Sequence, residues 1–244
     1  MWWAVDSVAP IGAAALSNVR GWYLGAPTPV AWGRYITGTY RIAAAELDFA
    51  RSHGIAVYFI VPDSNCSGCG GGDLCGNDVT SAQAHADARD AVADAVRLRL
   101  PRGVVLYKDI EEVSGCHGEL TAEYLIAWYR YVRQTRYVPA FYGNTSEQDY
   151  DFPRAYCDAA HRNKRFAREI TLAQDEPEPQ LGAARQTIGP KNAPRFAPYR
   201  PRCAPLAKVR IWQYGESIDN ANSTDVDEVV PGTHGMLAPD GHVT

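Results

Sequence analysis

Short and nearly continuous apolar runs recur along the chain, and each is bounded by polar or glycine-rich segments. Runs of this kind predict strands that are buried on both faces of a parallel sheet. The predicted strands cover residues 2–6, 33–37, 55–61, 103–109, 138–144, 169–173 and 209–215, with a further candidate at 184–188.

Helical patterns lie between several of these strands. They cover residues 43–54, 80–101 and 120–136. Repeated alternation of strand and helix predicts βα units, and eight strand candidates predict an irregular (β/α)8 TIM barrel of the α/β class in a single domain. The barrel is expected to occupy residues 1–230, and residues 231–244 are expected to form a C-terminal tail or linker.

The composition narrows the class of protein. The chain has 244 residues, of which 46% are hydrophobic and 21% charged, so it can bury one sizeable core. The net charge is −4 and no Lys/Arg-rich block occurs, which argues against a nucleic-acid partner. No apolar run approaches the roughly 18 residues that a membrane helix needs, so membrane insertion is not expected.

Acidic residues stand at the ends of several predicted strands. Asp6 ends the first strand, Asp109 and Glu111 end the fourth, and Asp225 follows the last. Side chains alternate along a strand, so Asp109 and Glu111 are expected to point to the same side. Catalytic residues of a TIM barrel lie at the carboxyl ends of its strands, so these four acids are predicted to form one site.

Converging carboxylates suit three roles. A carboxyl with a raised pKa beside an ionised carboxylate suits glycoside hydrolysis. The same oxygens could hold Ca²⁺ or Mg²⁺. They could also form a solvated rim without a function, and the spacing alone leaves all three open.

Six cysteines occur in the chain, and four of them fall near two adjacent loops. Cys66, Cys69 and Cys75 follow the third predicted strand, and Cys116 follows the fourth. One hypothesis is disulfides: Cys116 with one of the three, the other two with each other, and Cys157 with Cys203. The other is a structural zinc ion bound by Cys66, Cys69, Cys75 and Cys116, with His117 as a substitute ligand. Free thiols are the third alternative.

The motifs together resemble a known family. They are AVDSVAP, RYITG, AHADARDAVADAV, LYKDIEEV, PAFYGN, IWQYGE and TDVDEV, in this order along nearly the whole chain. The sequence resembles the glycoside-hydrolase-like TIM-barrel domains of actinobacterial exported proteins, which are related to the family-25 muramidases (lysozymes).

The resemblance implies roles for individual residues. It makes Glu111 the general acid and Asp109 the residue that tunes it and helps to hold the reacting sugar. It makes Asp6 and Asp225 the groups that stabilise positive charge or orient the N-acetyl group. The residues that it implies for the sugar cleft are Tyr142, Asn144, Trp212, Gln213 and Tyr214.

The function expected from this resemblance is hydrolysis of a bacterial cell-wall glycan by a peptidoglycan muramidase that needs no catalytic cofactor. The start of the sequence has no secretory pattern, so we expect a phage lysin or a virion-associated enzyme. Such an enzyme is made in the cytoplasm and delivered to the wall by lysis or virion assembly. The alternative is a chain whose export signal has been removed. The competing hypothesis is a non-catalytic barrel that binds glycan or has a structural role among virion or envelope proteins.

Overall fold

A computed structural model shows a closed barrel of eight strands, arranged in chain order. It describes residues 1–22, 26–62, 80–110, 120–143, 151–174, 190–191, 193–219 and 224–244. The strands are β1 (Trp2–Ser7), β2 (Ala31–Tyr35), β3 (Ala56–Val61), β4 (Val105–Ile110), β5 (Val138–Gly143), β6 (Leu172–Gln174), β7 (Val209–Asp219) and β8 (Thr224–Val229). The predicted irregular TIM barrel is therefore confirmed.

Six α-helices of the described residues pack around the strands. They are α1 (Ala13–Trp22), α2 (Ala44–Ser52), α3 (Ser81–Arg97), α4 (Ala122–Arg133), α5 (Phe152–Arg162) and α6 (Lys164–Glu169). Thr80 and Thr121 cap α3 and α4 through their side chains, which accept hydrogen bonds from Gln83 N and Tyr124 N. No helix in the described part of the chain is long and apolar enough to cross a membrane.

The last strand is the irregular part of the barrel. β8 pairs antiparallel with both β1 and β7, whereas the other neighbouring strands pair in parallel. The hydrophobic pattern does not predict β8, since its sequence, TDVDEV, is rich in acids that disfavour strands. The run predicted as the last strand is β7, and the candidate at 184–188 lies outside the described residues.

Small side chains line the barrel interior where β1, β2 and β3 begin. Ala4, Ala31 and Ala56 are register partners on β1, β2 and β3, and all three belong to the inner hydrophobic cluster. Larger side chains of that cluster, Tyr58, Tyr107 and Tyr142 among them, fill the remaining space. A separate and larger cluster lies outside the sheet, between strands and helices.

The C-terminal segment, 231–244, is part of the barrel, which corrects the prediction of a tail or linker. Met236 is buried within the inner hydrophobic cluster. Val57 and Leu237 exchange two main-chain hydrogen bonds, and Val105 N donates to Gly235 O at 2.9 Å. The segment therefore closes the end of the barrel at which β3 and β4 begin. The sequence does not predict this role, because the segment contains few apolar residues.

Candidate active site

Alternation along the strands decides which polar side chains enter the barrel. Ala4, Ile211 and Val229 belong to the inner cluster, so Asp6, Gln213 and Asp227, two positions away on the same strands, face inward. By the same rule Asp109 faces inward, because Val105 and Tyr107 precede it on β4. These four polar groups are all buried, which brings them into one environment.

Two tyrosines connect the polar groups. The Tyr58 hydroxyl donates to Asp227 Oδ2 at 2.8 Å and lies 3.5 Å from Asp6 Oδ2. The Tyr142 hydroxyl lies 3.2 Å from Asp6 Oδ2 and makes a short hydrogen bond to Gln213 Oε1. We call Asp6, Tyr58, Tyr142, Gln213 and Asp227 the acid cluster.

Gly33 makes the acid cluster sterically possible. It is the register partner of Asp6 on one side and of Tyr58 on the other. A Cβ atom at this position would lie 2.5 Å from Cβ of Asp6 and still closer to the ring of Tyr58. Because Gly33 has no side chain, the Tyr58 ring can cross towards Asp6 and Asp227.

The two carboxyls of the cluster differ in protonation. Burial raises the pKa of Asp6 to about 6, and hydrogen bonds from Tyr142 and Tyr58 offset part of the rise. Burial raises the pKa of Asp227 well above its usual range, and the negative charge of Asp6 raises it further. Asp6 is therefore mainly ionised at neutral pH, whereas burial and the charge of Asp6 both favour the protonated form of Asp227.

Tyr58 remains a hydrogen-bond donor throughout the physiological pH range. Burial raises its pKa well above the usual value, and the charges of Asp227 and Asp6 add to that effect. The negative charge of the cluster therefore rests mainly on Asp6, beside the hydroxyl groups of Tyr58 and Tyr142. An anion held in this way can stabilise a positive charge that develops nearby, such as an oxocarbenium-like centre.

A buried ion pair outside the sheet supports the end of β1. The Arg34 Nε atom lies 2.8 Å from Glu46 Oε2, and both side chains are almost fully buried. The same guanidinium donates to the main-chain oxygens of Ser7 and Val8, directly after Asp6. Arg34 thus fixes the chain that carries Asp6, and its positive charge lowers the pKa of Asp6 slightly.

Three of the four predicted catalytic acids lie at the same end of the barrel. Asp109 is fully buried and is the register partner of Tyr142. Asp225 is partly exposed and is the register partner of Asp6. Glu111, predicted as the general acid, lies outside the described residues, as does Asn144.

The predicted sugar-cleft residues divide between the two sides of the sheet. Tyr142 and Gln213 face inward and belong to the acid cluster. Trp212 and Tyr214 are buried in the outer hydrophobic cluster, where Trp212 packs edge-on against Phe196 with ring centroids 5.9 Å apart. This placement corrects the prediction for Trp212 and Tyr214: side chains adjacent to an inward Gln213 on one strand must face outward.

Two members of the acid cluster were absent from the predicted site. Tyr58 lies in the middle of an apolar run, AVYFIV, where an aromatic residue is usually part of a core. Asp227 lies two positions after Asp225 on the same face of β8. The alternation of acids in TDVDEV was the available signal for Asp227, but the sequence analysis selected Asp225 alone.

Of the predicted cysteine pairs, one lies in the part of the chain that the structure describes. Cys157 and Cys203 form a disulfide with Cα atoms 5.7 Å apart, which confirms this predicted bond. Cys66, Cys69, Cys75, Cys116 and His117 lie outside the described residues, so the choice between further disulfides and zinc stays a prediction. Within the described ranges, no group of three or more His, Cys, Asp or Glu side chains could hold a metal ion.

Residues 25–196 match the family model described as "Rv2525c-like, glycoside hydrolase-like domain". No curated protein matches the chain significantly. Among solved structures, an uncharacterized protein from B. stearothermophilus is similar, with a TM-score of 0.76 and 26% identity over 95% of this chain and 97% of that one.

Two more distant solved structures are also similar to the chain. The Tat-secreted protein Rv2525c of Mycobacterium tuberculosis, solved in complex with HEPES, has a TM-score of 0.58 and 12% identity over 96% of this chain and 98% of that one. A muramidase from Acremonium alcalophilum has a TM-score of 0.46 and 12% identity over 96% of this chain and 95% of that one. At such identities no activity is transferred from these proteins.

Proposed function

The chain belongs to the family of Rv2525c-like, glycoside hydrolase-like domains, and we propose that it hydrolyses a glycan of the bacterial cell wall at the end of the barrel that carries Asp6 and Asp109. Peptidoglycan is the proposed substrate, and cleavage after muramic acid is the proposed reaction. Delivery through phage lysis or virion assembly stays a prediction.

The observation that carries this proposal is the difference between the two buried carboxyls. Asp6 is mainly ionised at neutral pH, whereas burial and the charge of Asp6 raise the pKa of Asp227 further, and the Tyr58 hydroxyl lies between the two carboxyls. Glycoside hydrolysis needs an anion close to the anomeric carbon and a separate acid that protonates the leaving oxygen. Asp6 suits the first task.

The acid that protonates the leaving oxygen is proposed to be Glu111. It follows Asp109 by two positions, and Asp109 is held inward at full burial. A buried carboxylate beside Glu111 would raise the pKa of Glu111 through repulsion, as a general acid at neutral pH requires. Asp109 would thus tune Glu111, and the partly exposed Asp225 would contact the sugar at the mouth.

A second candidate function is glycan binding without cleavage, and the depth of the carboxyls favours it. Asp6 is 3% exposed, and Asp109 and Asp227 are 0% exposed. Groups at this depth can serve as structural support for the barrel interior, with Tyr58 and Tyr142 as their partners. In that case the mouth would hold a sugar chain through its rim alone.

The test is release of reducing ends and muropeptides from purified cell walls by the natural protein and by Glu111→Gln. Loss of a general acid lowers the rate by roughly 10²–10⁴-fold. Glu123→Gln is the matched control, because the Glu123 side chain is exposed on α4 and pairs with Arg162 on α5.

The outcomes separate the two functions. New reducing ends at muramic acid that disappear in Glu111→Gln but persist in Glu123→Gln would support the muramidase proposal. Co-sedimentation with walls but no release by the natural protein would favour the binding barrel. Neither release nor co-sedimentation, across several wall types, would refute both.

A further inference from the structure

A cavity of about 470 Å³ lies at the end of the barrel opposite the acid cluster. Its lining comes from the first residues of β4, β5 and β7, from the chain just before β6, and from the C-terminal segment at His234 and Gly235. We call it the basal cavity. Its volume lies within the range of roughly 300–1,000 Å³ that is typical of small-molecule sites.

The basal cavity is lined by basic side chains. Arg168, Lys208, Arg210 and His234 contribute to its wall, and Glu169 is the one acidic residue that the described lining contains. The net formal charge of the described residues that line the cavity is therefore positive even when His234 is neutral. This is the opposite of the acid cluster, which holds a negative charge on Asp6.

The Glu169 carboxylate already accepts hydrogen bonds from three other side chains. Its Oε2 atom accepts hydrogen bonds from Tyr129 at 2.7 Å and from Arg133 at 2.6 Å, and its Oε1 atom accepts one from Arg165 at 2.7 Å. Burial opposes ionisation of Glu169, yet hydrogen bonds from Arg165 and Tyr129 hold its pKa below the usual value. Glu169 is therefore a poor counter-ion for the cations of the cavity.

Two cations of the cavity, Lys208 and Arg210, have no acidic partner among the residues that the structure describes. Both are partly buried, and neither forms an ion pair with any residue in the described ranges. The Lys208 ammonium makes a short hydrogen bond to the main-chain oxygen of Arg168, which uses one of its three protons. Burial lowers the pKa of Lys208, and the charge of Glu169 offsets only part of that effect.

His234 is held near the cavity by the end of the chain. Its Nδ1 atom lies 3.3 Å from the main-chain oxygen of Thr244, and Gly235 N donates to the same oxygen at 3.1 Å. Gly235 has a φ of +92°, and a Cβ atom there would collide with Val105. The wall formed by His234 and Gly235 is therefore fixed against the start of β4.

We propose that the basal cavity binds a phosphate group through Lys208 and Arg210. A guanidinium presents a planar fork of N–H donors that matches phosphate oxygens in pairs, and an ammonium adds a compact charge. Partly buried cations that have no acidic counter-ion within the described ranges carry a desolvation cost that a bound anion relieves.

The proposal is independent of glycan hydrolysis, and the full chain can test it directly. Inorganic phosphate is titrated into the protein at low ionic strength, and heat and amide chemical shifts are recorded. We expect saturable binding, with shift changes at residues 207–211 and 233–236. Added salt should weaken the binding, since the contacts are between charges.

Variants define the role of the two cations. Arg210→Gln and Lys208→Gln should each lower the affinity for phosphate about tenfold or more, since each removes a charge-assisted contact. Arg89→Gln is the matched control, because Arg89 is an exposed residue of α3 that pairs with Asp90. Thermal melting of each variant shows that the fold is kept, and Lys208→Arg, which keeps the charge, should retain binding if the glutamine variants unfold.

Two further titrations separate the sources of phosphate. Glycerol 3-phosphate represents a small metabolite, and a poly(glycerol phosphate) chain represents an anionic wall polymer. Saturable binding of any of the three probes that depends on Lys208 and Arg210 supports the site, and the tightest probe identifies the source. No saturable binding of any probe, or binding that Arg210→Gln leaves unchanged, overturns the proposal, whatever the result with cell walls.

Discussion

Tyr58 on β3 donates a hydrogen bond of 2.8 Å to Asp227 on β8, across the interior of the barrel. The two strands are not neighbours in the sheet, since β2 and β1 lie between them on the shorter path around the barrel. This bond therefore links parts of the barrel wall that main-chain pairing does not connect, and it provides a donor for Oδ2 of a fully buried carboxyl.

Removal of the Tyr58 hydroxyl should destabilise the protein. Tyr58→Phe leaves the Asp227 carboxyl without this donor, and an unsatisfied buried polar group costs roughly 1–3 kcal/mol. The free energy of unfolding from urea denaturation measures the effect. Tyr156→Phe is the matched control, because the Tyr156 hydroxyl makes no hydrogen bond to any described side chain and its loss should change stability by less than about 0.5 kcal/mol. Equal losses in the two variants would contradict this account.

The stability of the protein should depend on the protonation of Asp6. The pKa of Asp6 is about 6 in the folded protein, compared with an ordinary value of 3.8, so the folded chain binds this proton more tightly. The resulting stabilisation is fully present below about pH 4 and is lost as the pH rises through 6, up to about 3 kcal/mol in total.

The measurement is the free energy of unfolding between pH 4 and 7 for the natural protein, Asp6→Asn and Asp48→Asn. The free energy of unfolding of Asp6→Asn should not show the decline with rising pH that the Asp6 carboxyl causes. Asp48 is exposed on α2 next to Arg51, so its replacement should leave the decline in place. A curve for Asp6→Asn that runs parallel to that of the natural protein would show that Asp6 titrates at its ordinary pKa.

Gly33→Ala should disturb the acid cluster without adding any polar group. The new methyl group would overlap Cβ of Asp6 and the Tyr58 ring, and overpacking of this kind costs roughly 1–3 kcal/mol or more. Gly12→Ala is the control, because a Cβ atom at Gly12 meets nothing within 4 Å. Thermal unfolding compares the two, and an unchanged midpoint for Gly33→Ala would show that the Tyr58 ring can move aside freely.

The disulfide between Cys157 and Cys203 should contribute substantially to stability. It closes a segment of 46 residues, and the loop entropy removed from the unfolded chain is worth about 4 kcal/mol. Replacing both cysteines by serine should therefore lower the midpoint of thermal unfolding by several degrees. The single variants Cys157→Ser and Cys203→Ser should each reproduce most of the loss, and a double variant as stable as the natural protein would contradict the argument.

The sequence predicts those parts of the barrel whose strands are apolar on both faces. β1 to β5 and β7 fall within or beside the predicted runs, because the inner cluster covers one face and the helices cover the other. β8 escapes prediction because its inward positions carry Asp225 and Asp227 instead of apolar side chains. Its strand conformation is fixed by pairing with β1 and β7, which a local pattern does not encode.

The local sequence pattern also predicts only part of the candidate site. Asp6 and Asp109 could be predicted, since an acid at the carboxyl end of a parallel strand lies at one defined end of the barrel. The depth of an acid on β8 depends on the direction of that strand: because β8 is antiparallel, Asp225 lies nearer the mouth and Asp227 deeper. Tyr58 could not be distinguished from a core aromatic residue until its partner Asp227 was in place.

The pairing of β1 with β8 has a consequence for how the barrel folds. Trp2 and Val229, near opposite ends of the chain, are register partners, so the ring of strands closes only after nearly the whole chain has been synthesised. Contacts between such distant residues slow folding, because a long loop must be closed before they can form. Until then β1 and β7 are open edges that can pair with other chains, so a version shortened before β8 should aggregate during synthesis.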